Sequence, residues 1–502
     1  MSDAGTPDRI TVGDGVVPEA ATPDCEIRAS LIRALLLDPD SPLHDKGLRL
    51  RGAWITGILD LQGSQYDQDI TLSNCRIFEP MLMINARLRG LHLSSCHARG
   101  ISANNAQFVG SLYLRSGTMV EGEISLASAR ISGDLQICDA QLLSPTQDAL
   151  FAPSLRVEGS VFLGNYPYAE GVTTLTASGA LFLSSARIDH DCFVTNTSVS
   201  LSSDEVSLGF FSATEEHGSN VALSLARAQV GGILYFQDNQ IGSGGIVNLA
   251  GATVARLKDE PEAPGASYPI RLDGFRYGDF SRHTETSVAA RLKWLDRRPA
   301  DTPFTAQPYE HLASVLIALG HRNDARRVLL EKEKLLRATS RASQPHPLRR
   351  GMSSIVDFLF RFTVGYGYKP GRSVVIAIIL IAALGFFFDR TWRAGDMTPN
   401  AAPILISADW ISATETHPEN PGAFWSQPDQ AGKDWETFNA VADAADLVIP
   451  LVAFGQETAW APSTSRSDWG RAGWWIRWFA KGIGWIITAL GAAAITGVIR
   501  KD

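Results

Sequence analysis

The sequence predicts a mainly β chain. The expected architecture is a right-handed β-helix, or solenoid, with a half-coil repeat of about 11 residues, then a helical hairpin and two transmembrane helices. Three observations carry this. A small side chain returns at Ala53, Ser64, Cys75, Ala86, Cys96, Ala106, Gly117, Ala129 and Ala140, and all eight spacings lie between 10 and 12 residues. Apolar residues follow each of them at i, i+2, the period of one strand face. Two late stretches, 373–388 and 482–499, are apolar and free of charge.

The first 45 residues read as a mobile N-terminus followed by a capping helix in EIRASLIRALLL. A solenoid needs such a cap because its open end exposes unpaired strand edges. Residues 46–258 then carry the repeat in units such as AWITGILDL, AQFVGSLYL, ARISGDLQI, LRVEGSVFL and AQVGGILYF. The glycine inside each (Gly57, Gly110, Gly133, Gly159, Gly232) marks a bend between two short strands. An ordinary β-sandwich would space its strands less evenly. SPTQDALFAP and the segments near Asn165 and Glu216 read as insertions at coil edges.

Residues 259–350 form a linker, EAPGASYP, and a helical hairpin. In PYEHLASVLIALGHRNDARRVLLEKEKLL, Leu312, Leu316 and Leu319 share a stripe, Gly320 ends the first helix, and Ala325, Val328 and Leu329 begin the second. Residues 351–388 are a juxtamembrane segment and the first span, 389–477 an extracytoplasmic acidic segment, and 478–502 the second span with a short tail. Trp474, Trp475, Trp478 and Trp485 form the aromatic shoulder typical of a membrane interface.

Flanking charge sets the expected orientation. Residues 337–372 carry seven Lys or Arg against Asp357 alone, whereas 389–475 carry 12 acidic and 5 basic residues. Both termini are therefore expected in the cytoplasm, at a bacterial cell (inner) membrane. Arg477 and Lys481 sit on the outer side, against the trend.

Composition excludes some classes. A net charge of −8 argues against a general nucleic-acid binder. The five cysteines include no CxxC pair and form no disulfide framework, and the first residues, MSDAGTPDRITVGDG, hold no signal-peptide core. IGSGGIVNLAG lacks the third glycine of a dinucleotide loop and is not followed by a helix pattern. No HExxH or GxSxG is present, and His92, His97 and His190 fall between apolar slots.

Thr363–Gly367 spells TVGYG, the letters of a potassium-channel filter. A filter of that kind needs a spanning helix before it, and the polar RASQPHPLRR stands there instead. The stretch reads as a juxtamembrane turn, with Tyr366 and Tyr368 at the interface and Lys369 and Arg372 near lipid phosphates. In the second span, Ala489, Ala493 and Gly497 lie four apart, a small-residue face suited to packing on the first span or on a neighbouring copy.

The segments EIRASLIRALLL…KGLRLRGAWITGILDL, PYEHLASVLIALGHRNDARRVLLEKEK, TVGYGYKPGR and LVIPLVAFGQETAWAP, with the tryptophan-flanked last helix, resemble a bacterial membrane family often labelled "membrane-associated oxidoreductase". The solenoid is also similar to pentapeptide-repeat helices, with a longer period. The label implies an oxidoreductase, yet no catalytic residue carries over and no cofactor site is legible. The expectation is a non-catalytic membrane-anchored scaffold or sensor without cofactor or metal. It presents a rigid cytoplasmic surface to a protein partner, contacts membrane lipid and is open to homo-oligomerisation; nucleic acid is not among its partners. The alternatives are an oligomeric pore-forming or membrane-perturbing effector and, third, the labelled enzyme.

Overall fold

The structure, a computed structural model, describes residues 9–144, 148–201, 220–263, 265–300, 302–344 and 347–496. The insertion expected near Glu216, Gly497 and the charged C-terminal tail lie outside them. The chain divides into two units, Met1–Leu329 and Leu330–Asp502.

The first unit is a β-solenoid of about nine turns. Its rungs form three long sheets in which every pairing between coils is parallel. One column of inward residues runs Ile55, Ile77, Ala98, Val120 and Leu142 in register from coil to coil. All five are at most 3% exposed. Each coil thus buries its apolar face only against the coils before and after it, which is why no single repeat stands alone.

Two devices turn the corners. Short polar residues in the left-handed region precede the inward slots: Asn74, Asn85, Ser95, Asn105, Ser128 and Ser185 all have φ between 51° and 59°. Asn and Ser tolerate this conformation because a short polar side chain bonds locally. The other bend stacks glycines. A Cβ on Gly159 would lie 2.5 Å from the carbonyl oxygen of Gly133 in the coil below. One rung departs from the expected register. Gly117, with φ 79°, belongs to the corner, and Thr118 fills the slot behind it. Its hydroxyl donates to the carbonyl of Arg115 at 2.7 Å, and Val120 rather than Met119 faces inward.

The ladder extends beyond both expected limits. Ile10–Thr11 pairs with Leu50 and Arg51, so part of the N-terminal stretch expected to be mobile closes the first rung. Helix α1 (Ala29–Leu37) then buries Ala29, Ile32 and Leu36. At the other end, rungs continue past residue 258 through Ile270–Arg271 and Arg276–Phe280. The segment expected to be a linker, EAPGASYP, falls between the strands Thr253–Asp259 and Ile270–Arg271. Helix α2 (Val288–Leu295) is fastened by Arg291, whose guanidinium donates to both oxygens of Asp259 at 2.7 and 2.8 Å. Helix α3 (Gln307–Ala318) offers Gln307 Oε1 and His311 Nε2 as acceptors for the N–H groups of Gly274 and Tyr277. Helix α4 (Arg322–Ala342) follows.

The second unit contains α5 (Pro347–Thr363), α6 (Gly371–Arg393), α7 (Ala402–Leu405), α8 (Ala408–Thr416), α9 (Pro421–Trp425), α10 (Ala440–Val448), α11 (Gln456–Ala459) and α12 (Asp468–Ile495). Strands Met397–Pro399 and Trp460–Pro462 pair antiparallel. Both α6 and α12 are long and apolar enough to cross a membrane. The acidic segment between them shares one core with both helices, in which Trp410, Trp425 and Trp460 pack with Leu384 and Phe388 of α6 and Ala480 of α12. Trp460 is fully buried, and its Nε1 donates to the carbonyl of Glu436 at 2.7 Å. Helix α10 packs on both α6 and α12. A Cβ on Gly484 would meet the carbonyl oxygen of Leu447 at 2.5 Å, so only glycine allows α12 to approach α10 this closely.

Candidate functional site

On one sheet the outward position of successive rungs reads Arg87, Gln107, Arg130, Arg156, Arg187 and Gln229. Each arginine stands between two buried apolar neighbours, as Arg130 does between Ala129 and Ile131, and Arg187 between Ala186 and Ile188. The period of two fixes the orientation, because turning the arginine inward would expose its neighbours. The backbone is fully engaged. The N–H groups of Arg130, Arg156 and Arg187 donate to the previous coil at 2.8, 2.9 and 2.8 Å.

Beside this column runs the left-handed corner, occupied by Asn105, Ser128, Ser154, Ser185 and Arg227. The two lines enclose a groove of about 620 Å³ lined by four arginines, three serines and three side-chain amides, with no acidic residue. Arg187 pairs with Asp189 at 3.1 Å, just outside the lining, and Arg227 donates to Ser185 Oγ at 3.4 Å. Among the described residues, Arg130 and Arg156 have no carboxylate within ion-pair reach. Rungs stack about 4.8 Å apart. Like charges directly opposed across a ladder destabilise it by roughly 0.2–1 kcal/mol a pair. An anion in the groove would reverse the sign of that term, and guanidinium forks match carboxylate or phosphate oxygens.

Across the bend lies an aromatic column. His92 stacks on Tyr113 at 4.7 Å, Phe162 on Phe193 at 4.7 Å and Phe193 on Tyr235 at 4.2 Å. Arg115 and Lys258 lie over Tyr113 and Tyr235. These rings spend their faces on one another and on the cations. They strengthen the ladder.

The residues singled out by sequence lie elsewhere. Tyr366 is buried at 2% exposure rather than turned to an interface, with φ 56°. Its hydroxyl donates to Asp357 at 2.7 Å beneath the Arg337 guanidinium. Burial, reinforced by Asp357, pushes the phenol up to about 12. Tyr368 is half-buried, and Lys369 and Arg372 are exposed. The TVGYG stretch is a tight turn. The carbonyl of Val364 accepts from Gly367 and Lys369, and that of Gly365 from Tyr368. On α12, Ala489 is exposed and Ala493 half-buried. The buried face is Ala480, Gly484, Ile487, Gly491 and Ala494, and a Cβ on Gly491 would meet Ser373 Oγ of α6 at 2.9 Å. Residues 242–245 form a turn entering the strand Ile246–Asn248, with no helix after it. All five cysteines are free and buried. Among the described residues no cluster of His, Cys, Asp or Glu could hold a metal ion.

The groove went unread in the sequence, although a signal was there. ARI at 129–131, LRV at 155–157 and ARI at 186–188 repeat an outward arginine between two inward residues. Compared with family models, curated proteins and solved structures, the chain matches none of them.

Proposed function

We propose that this protein is a membrane-anchored, non-catalytic scaffold or sensor whose solenoid groove binds an acidic segment of a partner protein. In this reading α6 and α12 span a bacterial inner membrane with both termini in the cytoplasm. The coils are right-handed, with half-coils of about 11 residues like an elongated pentapeptide repeat. The observation that carries the binding role is the run of Arg130, Arg156 and Arg187 on consecutive rungs of a groove without acidic lining. A rigid ladder holds these cations in place before the partner arrives, so little ordering cost falls on this side of the interface. The chain charge of −8 and the stacking of the aromatic column on itself favour a protein segment over a nucleic acid.

The test is fluorescence anisotropy on the full-length protein in detergent, with labelled octaglutamate, octalysine and a single-stranded 20-mer DNA. Octaglutamate is expected to bind, octalysine not to, and Arg130→Gln with Arg156→Gln to weaken octaglutamate by roughly tenfold. Unchanged octaglutamate binding in the double variant refutes the reading. DNA binding tighter than octaglutamate replaces it with a nucleic-acid surface.

A further inference from the structure

The second unit holds a cavity of about 750 Å³ alongside α12. Trp474, Arg477, Trp478 and Lys481 line it, spaced i, i+3, i+4, i+7, which is one face of a helix. Arg466 joins them from the segment before the helix, and Glu457 is the one carboxylate in the lining. Three cations therefore face a single anion.

Glu457 is held firmly. Its N–H donates to Asp446 Oδ2 at 3.1 Å, and its carboxylate receives Lys481 Nζ at 2.6 Å. Arg477 donates to the Glu457 carbonyl at 2.5 Å and stands 3.7 Å from the carboxylate. This arrangement also accounts for two cations on the side of the span where flanking charge disfavours them. Arg466 donates one N–H to the Gly395 carbonyl at 2.6 Å and lies 5.5 Å from the centre of the Trp410 ring. Asp396 attracts Arg466 and Asp443 attracts Arg477 from behind the wall, but Glu457 alone presents a carboxylate to the cavity itself, so its interior is lined mainly by cations and suits an anion. The surroundings say what else that anion carries. Trp478 and Trp485, three residues before and four after Lys481 on the same face, are exposed and apolar. A small hydrophilic anion has no use for such a face; an amphiphile does.

We propose that this cavity binds an anionic phosphate amphiphile, with its phosphate among Arg466, Arg477 and Lys481 and its chain along Trp478 and Trp485. The proposal rests on α12 lying in a bilayer and is independent of the solenoid groove. A lipid headgroup and a soluble phosphate monoester share the recognising chemistry, and the apolar face favours the lipid.

The experiment is native mass spectrometry of the full-length protein in detergent with equimolar phosphatidylglycerol and phosphatidylcholine. A parallel arm measures thermal shift with glycerol phosphate and with inorganic phosphate. Phosphatidylglycerol is expected to be retained at least about tenfold over phosphatidylcholine, with Arg466→Gln and Lys481→Gln each removing most of that preference. Both variants spare the contacts of Arg477 with Glu457, and unchanged melting temperatures verify their folding. Equal retention of the two lipids by the wild type overturns the proposal, as does a preference that survives in both variants. A melting shift with the soluble phosphates that Arg466→Gln abolishes, without lipid preference, overturns the lipid and assigns the cavity to a soluble monoester.

Discussion

Replacing Arg291 by Met is expected to unlatch the end of the solenoid. Arg291 is fully buried and Asp259 is 5% exposed. The guanidinium makes two bonds to Asp259, donates a third through Nε to the Glu285 carbonyl at 2.7 Å, and lies 4.4 Å from the centre of the Phe280 ring. One side chain therefore joins α2 to the strands Thr253–Asp259 and Arg276–Phe280. Methionine keeps most of the apolar volume and strands the carboxylate, and breaking a buried pair in this way costs about 3–5 kcal/mol. Because stability in a solenoid is a sum over neighbouring coils, the loss falls on the last coil rather than on the whole. Hydrogen-exchange mass spectrometry of the full-length protein in detergent reads this directly. Peptides covering 253–280 should exchange faster by roughly two to three and a half orders of magnitude, and those covering 129–143 should stay unchanged. Adding Asp259→Asn, which removes the stranded charge, should recover a large part of the protection. Exchange within threefold of wild type in Arg291→Met, or no recovery in the double variant, refutes the latch.

Other expectations follow from the same contacts. Ile131→Asp puts an unpaired carboxylate into a column where Ile131 is 1% exposed; it should cost more than about 4 kcal/mol, while Arg130→Asp on the outer face stays mild, as thermal melting will show. Burial, with Glu123 nearby, pushes the Asp148 carboxyl up to about 7 from an ordinary 3.8. The folded chain then holds this proton more tightly than the unfolded one, so stability falls as pH rises from about 4 to 7, by at most about 4 kcal/mol. Asp148→Asn should stabilise the protein at pH 8 and flatten that slope, and an unaltered melting profile against pH excludes the effect. On α12, Gly484→Val should disrupt packing on α10 whereas Ala489→Leu should be tolerated, a contrast read as detergent-dependent melting. Finally, a cysteine near Gln430 should react with an impermeant maleimide in intact cells and one near Ser343 should not; equal labelling removes the two-span, termini-in arrangement.

Much of the solenoid was legible because it repeats one local rule. Inward small and aliphatic residues recur at even spacing, and a one-residue slip would turn every one of them outward. The corner residues were equally periodic but harder to see, since Asn, Ser and Asp also populate ordinary loops. At Gly117 the small residue belonged to the corner, and only the neighbouring rungs decide that Thr118 faces inward. The ends were less legible. Ile10–Thr11 and Arg276–Phe280 pair because a neighbouring edge is free, which no local pattern announces. The two helices that could cross a membrane were recognisable from apolar length, but their packed face was not. Spacing pointed to Ala489, Ala493 and Gly497, whereas the close approach to Leu447 and Ser373 occurs at Gly484 and Gly491. The arginine groove was missed because each arginine, taken alone, is an unremarkable exposed residue; its meaning comes from Arg130, Arg156 and Arg187 lying in register.

That register makes the groove a ruler with a fixed graduation. Because Arg130 sits over Arg156 and each coil meets only its neighbours, excising residues 130–155 would join two surfaces already complementary and remove one arginine. Duplicating the same span would add one. Length, and with it the number of arginines in register, changes by whole coils of about 4.8 Å while every surviving rung keeps its geometry. On the proposed binding role, whole-coil changes would retune how long a partner must be without redesigning how any single charge is recognised.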